Sequence, residues 1–156
     1  MFKLVPVLVL FVVLTGCAST PNEMTPLEIQ SMQMRTFEQP KDVVFASVVS
    51  VFQDLGYQIQ SADLATGLIT SESPADSTGG WYQAFTGNTR VTQTRATAYV
   101  EQIGNQSQAR LNFLVVNETS SGWGQRNRQD QPIMDAAIYQ NAFERIENAV
   151  FIRAAN

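Results

Sequence analysis

Between Pro40 and Tyr57 the apolar residues Val44, Val48, Val51, Phe52 and Leu55 recur at steps of three and four. That spacing lines one face of an α-helix, because successive turns bring such residues above one another. Pro40 and Asp42 suit its first turn, where a missing amide hydrogen does no harm and a carboxylate opposes the helix dipole. Gly56 is placed to end it. A second stripe follows Asp135, where Ile138, Ala142, Ile146, Ala149 and Val150 stack on one face and Asp135 can cap the first turn.

The segments between these helices change to a period of two. Residues 31–38, SMQMRTFE, alternate loosely and predict a first strand. Tyr57 and Ile59, a turn over Asp63–Gly67, and the run from Leu68 to Ser71 predict strand, turn and strand. RVTQTRATAYVEQIG, the turn GNQS, and QARLNFLVVNET with Ala109, Leu111, Phe113 and Val115 on one face predict a hairpin. The order is β-α-β-β-β-β-α. It predicts an α+β fold, a single antiparallel sheet with two helices on one face, because only that layering buries all the stripes together.

The N-terminus has another pattern. MFKLVPVLVLFVVLTGC carries Lys3 and then an apolar run from Leu4 to Leu14. The run is far short of the ~20 residues that cross a bilayer core, so residues 1–16 read as a signal peptide. Leu14-Thr15-Gly16-Cys17 resembles the lipobox of bacterial lipoproteins at all four positions. The resemblance implies that the Cys17 thiol carries a diacylglycerol, that cleavage occurs before it, and that the new amine is acylated. Several chains make a firm anchor where one would hold only marginally. Ala18 follows the cysteine where an aspartate would imply inner-membrane retention, so the resemblance points to the outer membrane. Residues 17–30, with two prolines and small polar side chains, read as the lipidated cysteine and a flexible tether, leaving 31–156 as the domain.

Composition narrows the chemistry. The chain has one cysteine, no histidine and a net charge of −4. An internal disulfide is impossible, and neither a Cys/His metal site nor a histidine-activated thiol can form. No basic patch suggests nucleic acid, and no phosphate-binding or dinucleotide motif suggests a cofactor. The element order over residues 31–153, in a lipoprotein, resembles the helix-grip domains of periplasmic lipoproteins such as BamC. That likeness implies a fold and no activity.

Two polar stretches remain, Pro74–Asn88 and Thr119–Gln131, and each holds a glycine-flanked tryptophan. Hairpin-linked strands alternate in direction, which predicts that both stretches leave the sheet at one end, with the tether beside them. Trp81, Tyr82, Trp123, Arg126 and Arg128 form the candidate binding set, with Arg90 as a further cation. The rings either fold over an open edge of the core or form a recognition surface. Asp76, Glu118 and Asp130 are the carboxylates available for a hydrolytic pair, though their spacing does not select one. The function expected is that of a non-catalytic, outer-membrane lipoprotein, facing the periplasm and serving as an accessory or scaffold subunit of an envelope assembly. The partners expected are the membrane, through the lipid anchor, and envelope proteins. A lipid- or glycan-binding carrier is the alternative, which a closed apolar pocket lined by Phe113, Val115, Ile138 and Ile146 would favour.

Overall fold

The computed structural model describes residues 24–78, 89–121 and 123–155. Residues 1–16, expected to be a signal peptide, and Cys17, Trp81 and Tyr82 lie outside the described residues. The elements are α1 (Pro26–Gln33), β1 (Met34–Phe37), α2 (Lys41–Asp54), β2 (Gln58–Asp63), β3 (Leu68–Glu72), β4 (Asp76–Thr78), β5 (Thr89–Ile103), β6 (Gln106–Ser120), β7 (Arg126–Pro132) and α3 (Ala136–Ala154). The strands make one antiparallel sheet in the order β1-β6-β5-β3-β2. Past the end of β3, β4 pairs with β5, and past the end of β1, β7 pairs with β6. The α+β class and the single antiparallel sheet expected from the pattern are what the chain forms.

The two long helices cover one face. Val44, Val48, Val51 and Phe52 of α2 and Tyr139, Ala142, Phe143, Ile146 and Val150 of α3 are buried against Ile69, Ala96, Ala98, Val100, Ala109, Leu111 and Phe113. Alanines at three of those sheet positions leave room for the helices to settle close. Three serines are buried with this core, and each hydroxyl donates to a backbone carbonyl: Ser47 to Val43, Ser71 to Ala96 and Ser107 to Gln39. Pairing of this kind removes the penalty of burying a hydroxyl.

Lengths decide what the helices leave uncovered. β5 and β6 have 15 residues each. At ~3.4 Å per residue they run for about 50 Å. The 14 residues of α2 and 19 of α3 span only about 21 and 28 Å at ~1.5 Å per residue. The hairpin therefore outruns the helix layer. On the helix-side face the buried positions stop at Ala96 and Phe113, and Thr92, Thr94, Val115 and Asn117 beyond them are only partly buried.

Four expectations change. Residues 26–30, read as tether, and 31–33, read as strand, form α1 instead. Thr25 and Glu28 close a reciprocal capping box and Pro26 sits at the start, which fixes a helix without an apolar stripe. The stretch Thr119–Gln131, read as a long loop, is mostly the continuation of β6, a tight turn and β7. On α3 the buried face is turned toward Tyr139 and Phe143, and Ile138 is 40% exposed. Finally, the tether does not arrive beside the Trp123 turn. Met24 lines a groove with Ala136 and Gln140 at the start of α3. That start follows Pro132, which pairs with Leu114, whereas the turn begins after Ser120. Six residues of strand separate them, about 20 Å.

Candidate functional site

The overhanging part of the sheet is an arm of four strands, β4-β5-β6-β7, and the remaining candidate residues lie on it. Thr89 pairs with Ser120, so the start of β5 lies beside the turn that carries Trp123. Thr78 pairs with Arg90, so both described borders of the segment with Trp81 and Tyr82 lie at that end of the sheet. Trp123 is 96% exposed, and Gly124 beside it takes φ +81, a conformation glycine adopts without strain. Ser121 closes the turn by donating its amide to Gln125 at 2.9 Å. Trp123 therefore does not fold back over the core. Arg126 opens β7, all of whose residues are exposed, and Arg128 follows two positions on. The backbone of Arg90 pairs with Thr119 in the same arm.

The arm has two unlike faces because strand side chains alternate. On the outer face, Glu72, Arg95, Glu118, Arg128 and Asp130 form a charged network across four strands. Arg95 donates to Glu72 at 2.8 Å and lies 3.9 Å from Asp130. Arg128 donates to Asp130 at 2.9 Å and lies 3.5 Å from Glu118. Val116, buried outside the main core, has Gln93 and Asp130 as its direct cross-strand neighbours, and Arg95 and Arg128 stand diagonal to it. The hydrogen bond from Arg128 holds the Asp130 carboxyl below its ordinary range, with the charges of Arg128 and Arg95 adding to it. The same bond, with the carboxylates of Asp130, Glu118 and Glu72, raises the Arg128 pKa further. The helix-side face holds Thr92, Asn117, Thr119, Asn127 and Gln129, with Asp76 of β4 beside Thr92, and the Thr92 hydroxyl donates to the Asn117 side-chain oxygen at 3.1 Å.

This geometry bears on the carboxylates. Glu118 and Asp130 are both turned onto one guanidinium, and Asp130 is kept ionised, the opposite of what a general acid needs. Among the described residues no three acidic side chains gather closely enough to hold a metal ion. None of the described helices is long and apolar enough to cross a membrane.

Two grooves flank α3. One, of about 790 Å³, separates α1 from α3 and is edged by Glu28, Arg35, Glu144 and Glu147, with Arg35 paired to Glu147 at 3.3 Å. The other, of about 390 Å³, lies between the end of α2 and the start of α3, with Leu55, Tyr57, Phe113, Ile138 and Ala142 in its walls. It is open to solvent, and Ile146, expected in a ligand pocket, is fully buried in the filled core behind it. Burial raises the Tyr57 pKa.

Glu118, Arg126, Arg128 and Asp130 were legible in the sequence as separate candidates, but the network that joins three of them to Glu72 and Arg95, and the strand β7, were not. The alternation of charged and neutral residues in RNRQDQP, directly after a glycine-flanked turn, is the one signal that could have placed them. No family model matches the chain, and a search of curated proteins finds no match.

Proposed function

We propose that this chain is a non-catalytic lipoprotein, anchored through Cys17 in the outer membrane and facing the periplasm, and that it serves an envelope assembly as an accessory or scaffold subunit. The arm carries the reading. It extends the sheet beyond the helices, has no described helix over either face, and ends in Trp123 at 96% exposure. A tryptophan in water at a tip adds nothing to the core, while its large apolar ring and single N–H suit a partner surface. Trp123, Arg126 and Arg128 are the contact residues on the described part of the arm, with Trp81 and Tyr82 proposed from the adjoining segment. Anchoring raises the local concentration of the domain near membrane partners, so a modest interface is enough.

The test is photo-crosslinking in intact cells with the full chain. A photoreactive residue at position 123 should give adducts with envelope proteins, and the same residue at the exposed helix position 148 should give far fewer. Equal labelling from both positions would remove the arm as the contact surface.

A carrier of lipid or glycan is the second reading, and the apolar groove at Leu55, Tyr57, Phe113 and Ile138 is the observation that favours it. Saturable binding of a fluorescent fatty acid, lost on Ile138→Asp, would support the carrier over the scaffold.

A further inference from the structure

The outer edge of β7 carries an unusual instruction. β5 and β6 are joined by a two-residue turn, with Ile103 opposite Gln106. Antiparallel pairing then alternates which residues aim their backbone groups at which neighbour. Even-numbered residues of β6 bond toward β5, and odd-numbered ones bond toward β7. The Ile133 amide, which donates to the Phe113 carbonyl at 2.9 Å, agrees with that pattern. Across the β6–β7 register, Asn127, Gln129 and Gln131 face β6. Arg126, Arg128 and Asp130 therefore turn their N–H and C=O groups outward, and no described residue pairs with them. Such an edge is a template for another strand.

Charge selects which strand fits. We propose that β7 pairs with β7 of a second copy of this chain, antiparallel, with the two-fold axis at Gln129. In that register Arg128 lies opposite Asp130 of the second copy, and Asp130 lies opposite its Arg128. The Arg128 row continues a charge row already present, since Arg128 is flanked on its other side by Glu118, while Asp130 is flanked by Val116. On the opposite face Gln129 meets Gln129, and Asn127 meets Gln131, amides that can donate and accept mutually. Outward groups supply about six backbone hydrogen bonds, the narrow pairs of an antiparallel ladder. Pro132, without an amide hydrogen, stops the ladder at each end. Moving the axis by one residue, to Arg128 or to Asp130, sets like charges directly against each other, which opposes pairing. Parallel, in-register pairing does the same at every charged position. The charges that blunt this edge against general aggregation thus leave one register open. This inference does not rest on the proposed scaffold role, because it concerns contact of the chain with itself.

Cysteine crosslinking tests it. At the axis, Gln129 and its copy form a non-hydrogen-bonded pair with Cα atoms ~4.5 Å apart, close enough for a disulfide. Position 127 is about 13 Å from its own copy, four residues of strand away, and so is position 131. In cells that express the full chain, Gln129→Cys under mild oxidation should give several times more covalent dimer than the unaltered chain. Asn127→Cys and Gln131→Cys should stay at that background. Two charge variants with distinguishable tags then check the register. Arg128→Asp and Asp130→Arg, each combined with Gln129→Cys, should lose the dimer when expressed alone and regain it as a mixed pair when expressed together. Absence of excess dimer from Gln129→Cys, equal crosslinking at all three positions, or failure of the mixed pair would overturn the proposal. So would a Gln129→Cys adduct with a different protein.

Discussion

The backbone amide of Phe113 donates to the phenol oxygen of Tyr139 at 3.3 Å, tying the middle of β6 to the first turns of α3. β1 leaves β6 at Arg110 and β7 joins it at Leu114, so this amide has no strand partner on that side. Tyr139 fills the gap, and its ring meets that of Phe113 edge-on with centroids 5.1 Å apart. Tyr139→Phe keeps the ring and removes the acceptor, leaving an N–H buried without a partner. The expected loss is about 1–3 kcal/mol. It should be read as a lower midpoint of urea unfolding at unchanged slope. An unchanged midpoint would mean that the hydrogen bond does not support the fold.

Gly67 and Gly56 make a matched pair for a second prediction. Both take positive φ, +81 and +85. At Gly67 an added Cβ would run into the carbonyl of Val100, whose own amide donates to Gly67 at 2.9 Å. At Gly56 a Cβ would meet open space. Gly56→Ala should cost only the left-handed backbone penalty, about 1–2 kcal/mol. Gly67→Ala adds the displacement of a β5 carbonyl and should cost clearly more. Equal midpoints for the two variants in urea would show that the turn can move away from β5.

How far the sequence revealed this molecule depended on what drives each element. α2 and the β5–β6 hairpin are held by apolar burial, and their stripes predicted them. On α3 the helix and most of its face were legible, since Ala142, Ile146 and Val150 are buried and Ala149 packs beside them; only Ile138 is displaced, because Tyr139 and Phe143 fill the core at the first turns. α1 buries none of its residues and is set by the Thr25–Glu28 box, a signal present in TPLE but set among prolines and small polar residues that equally suit a tether. β7 holds to β6 through backbone bonds and charge alone, with every residue exposed. Hydrophobic patterning is silent about such a strand. The candidate site followed suit: Trp123, Arg126 and Arg128 were legible by residue type and Glu118 and Asp130 as loose carboxylates, while their joining with Glu72 and Arg95 appears only once four strands are in register.

Acid should loosen the turns before the core. Hydrogen bonds hold three exposed carboxyls below their ordinary pKa: the Thr66 hydroxyl and Ala65 amide at Asp63, Arg128 at Asp130, and the Thr25 amide and hydroxyl at Glu28. A folded-state pKa below the unfolded value favours folding once pH exceeds the unfolded value, and that contribution is lost as pH falls through the folded one. The window therefore lies below about pH 4, from the ordinary carboxylate range downward. With no histidine in the chain, little should change between about pH 5 and 8. Protection of the amides at Asn127–Gln131, at Ala65–Gly67 and at the start of α1, taken relative to the intrinsic exchange rate at each pH, should fall together in acid while Ala98 and Asn112 inside the sheet stay protected. A transition near neutral pH would contradict this account.

Cys17 is where location can be tested apart from the arm. Processing of a lipobox begins with transfer of a diacylglycerol to the thiol, and cleavage follows it. Cys17→Ala should therefore give a chain that takes up no labelled palmitate and keeps residues 1–16, running larger than the mature form on a denaturing gel. The unaltered chain should be labelled and should partition into detergent, since each buried methylene contributes ~0.8 kcal/mol to anchoring. The alanine variant still carries Lys3 and the apolar run, so it should reach the membrane as a precursor. If Cys17→Ala were instead trimmed normally and released as a soluble protein, residues 1–16 would be an ordinary export signal. The thiol would then be free, and the anchored part of the proposal would fail while the arm and its tryptophan stood as before.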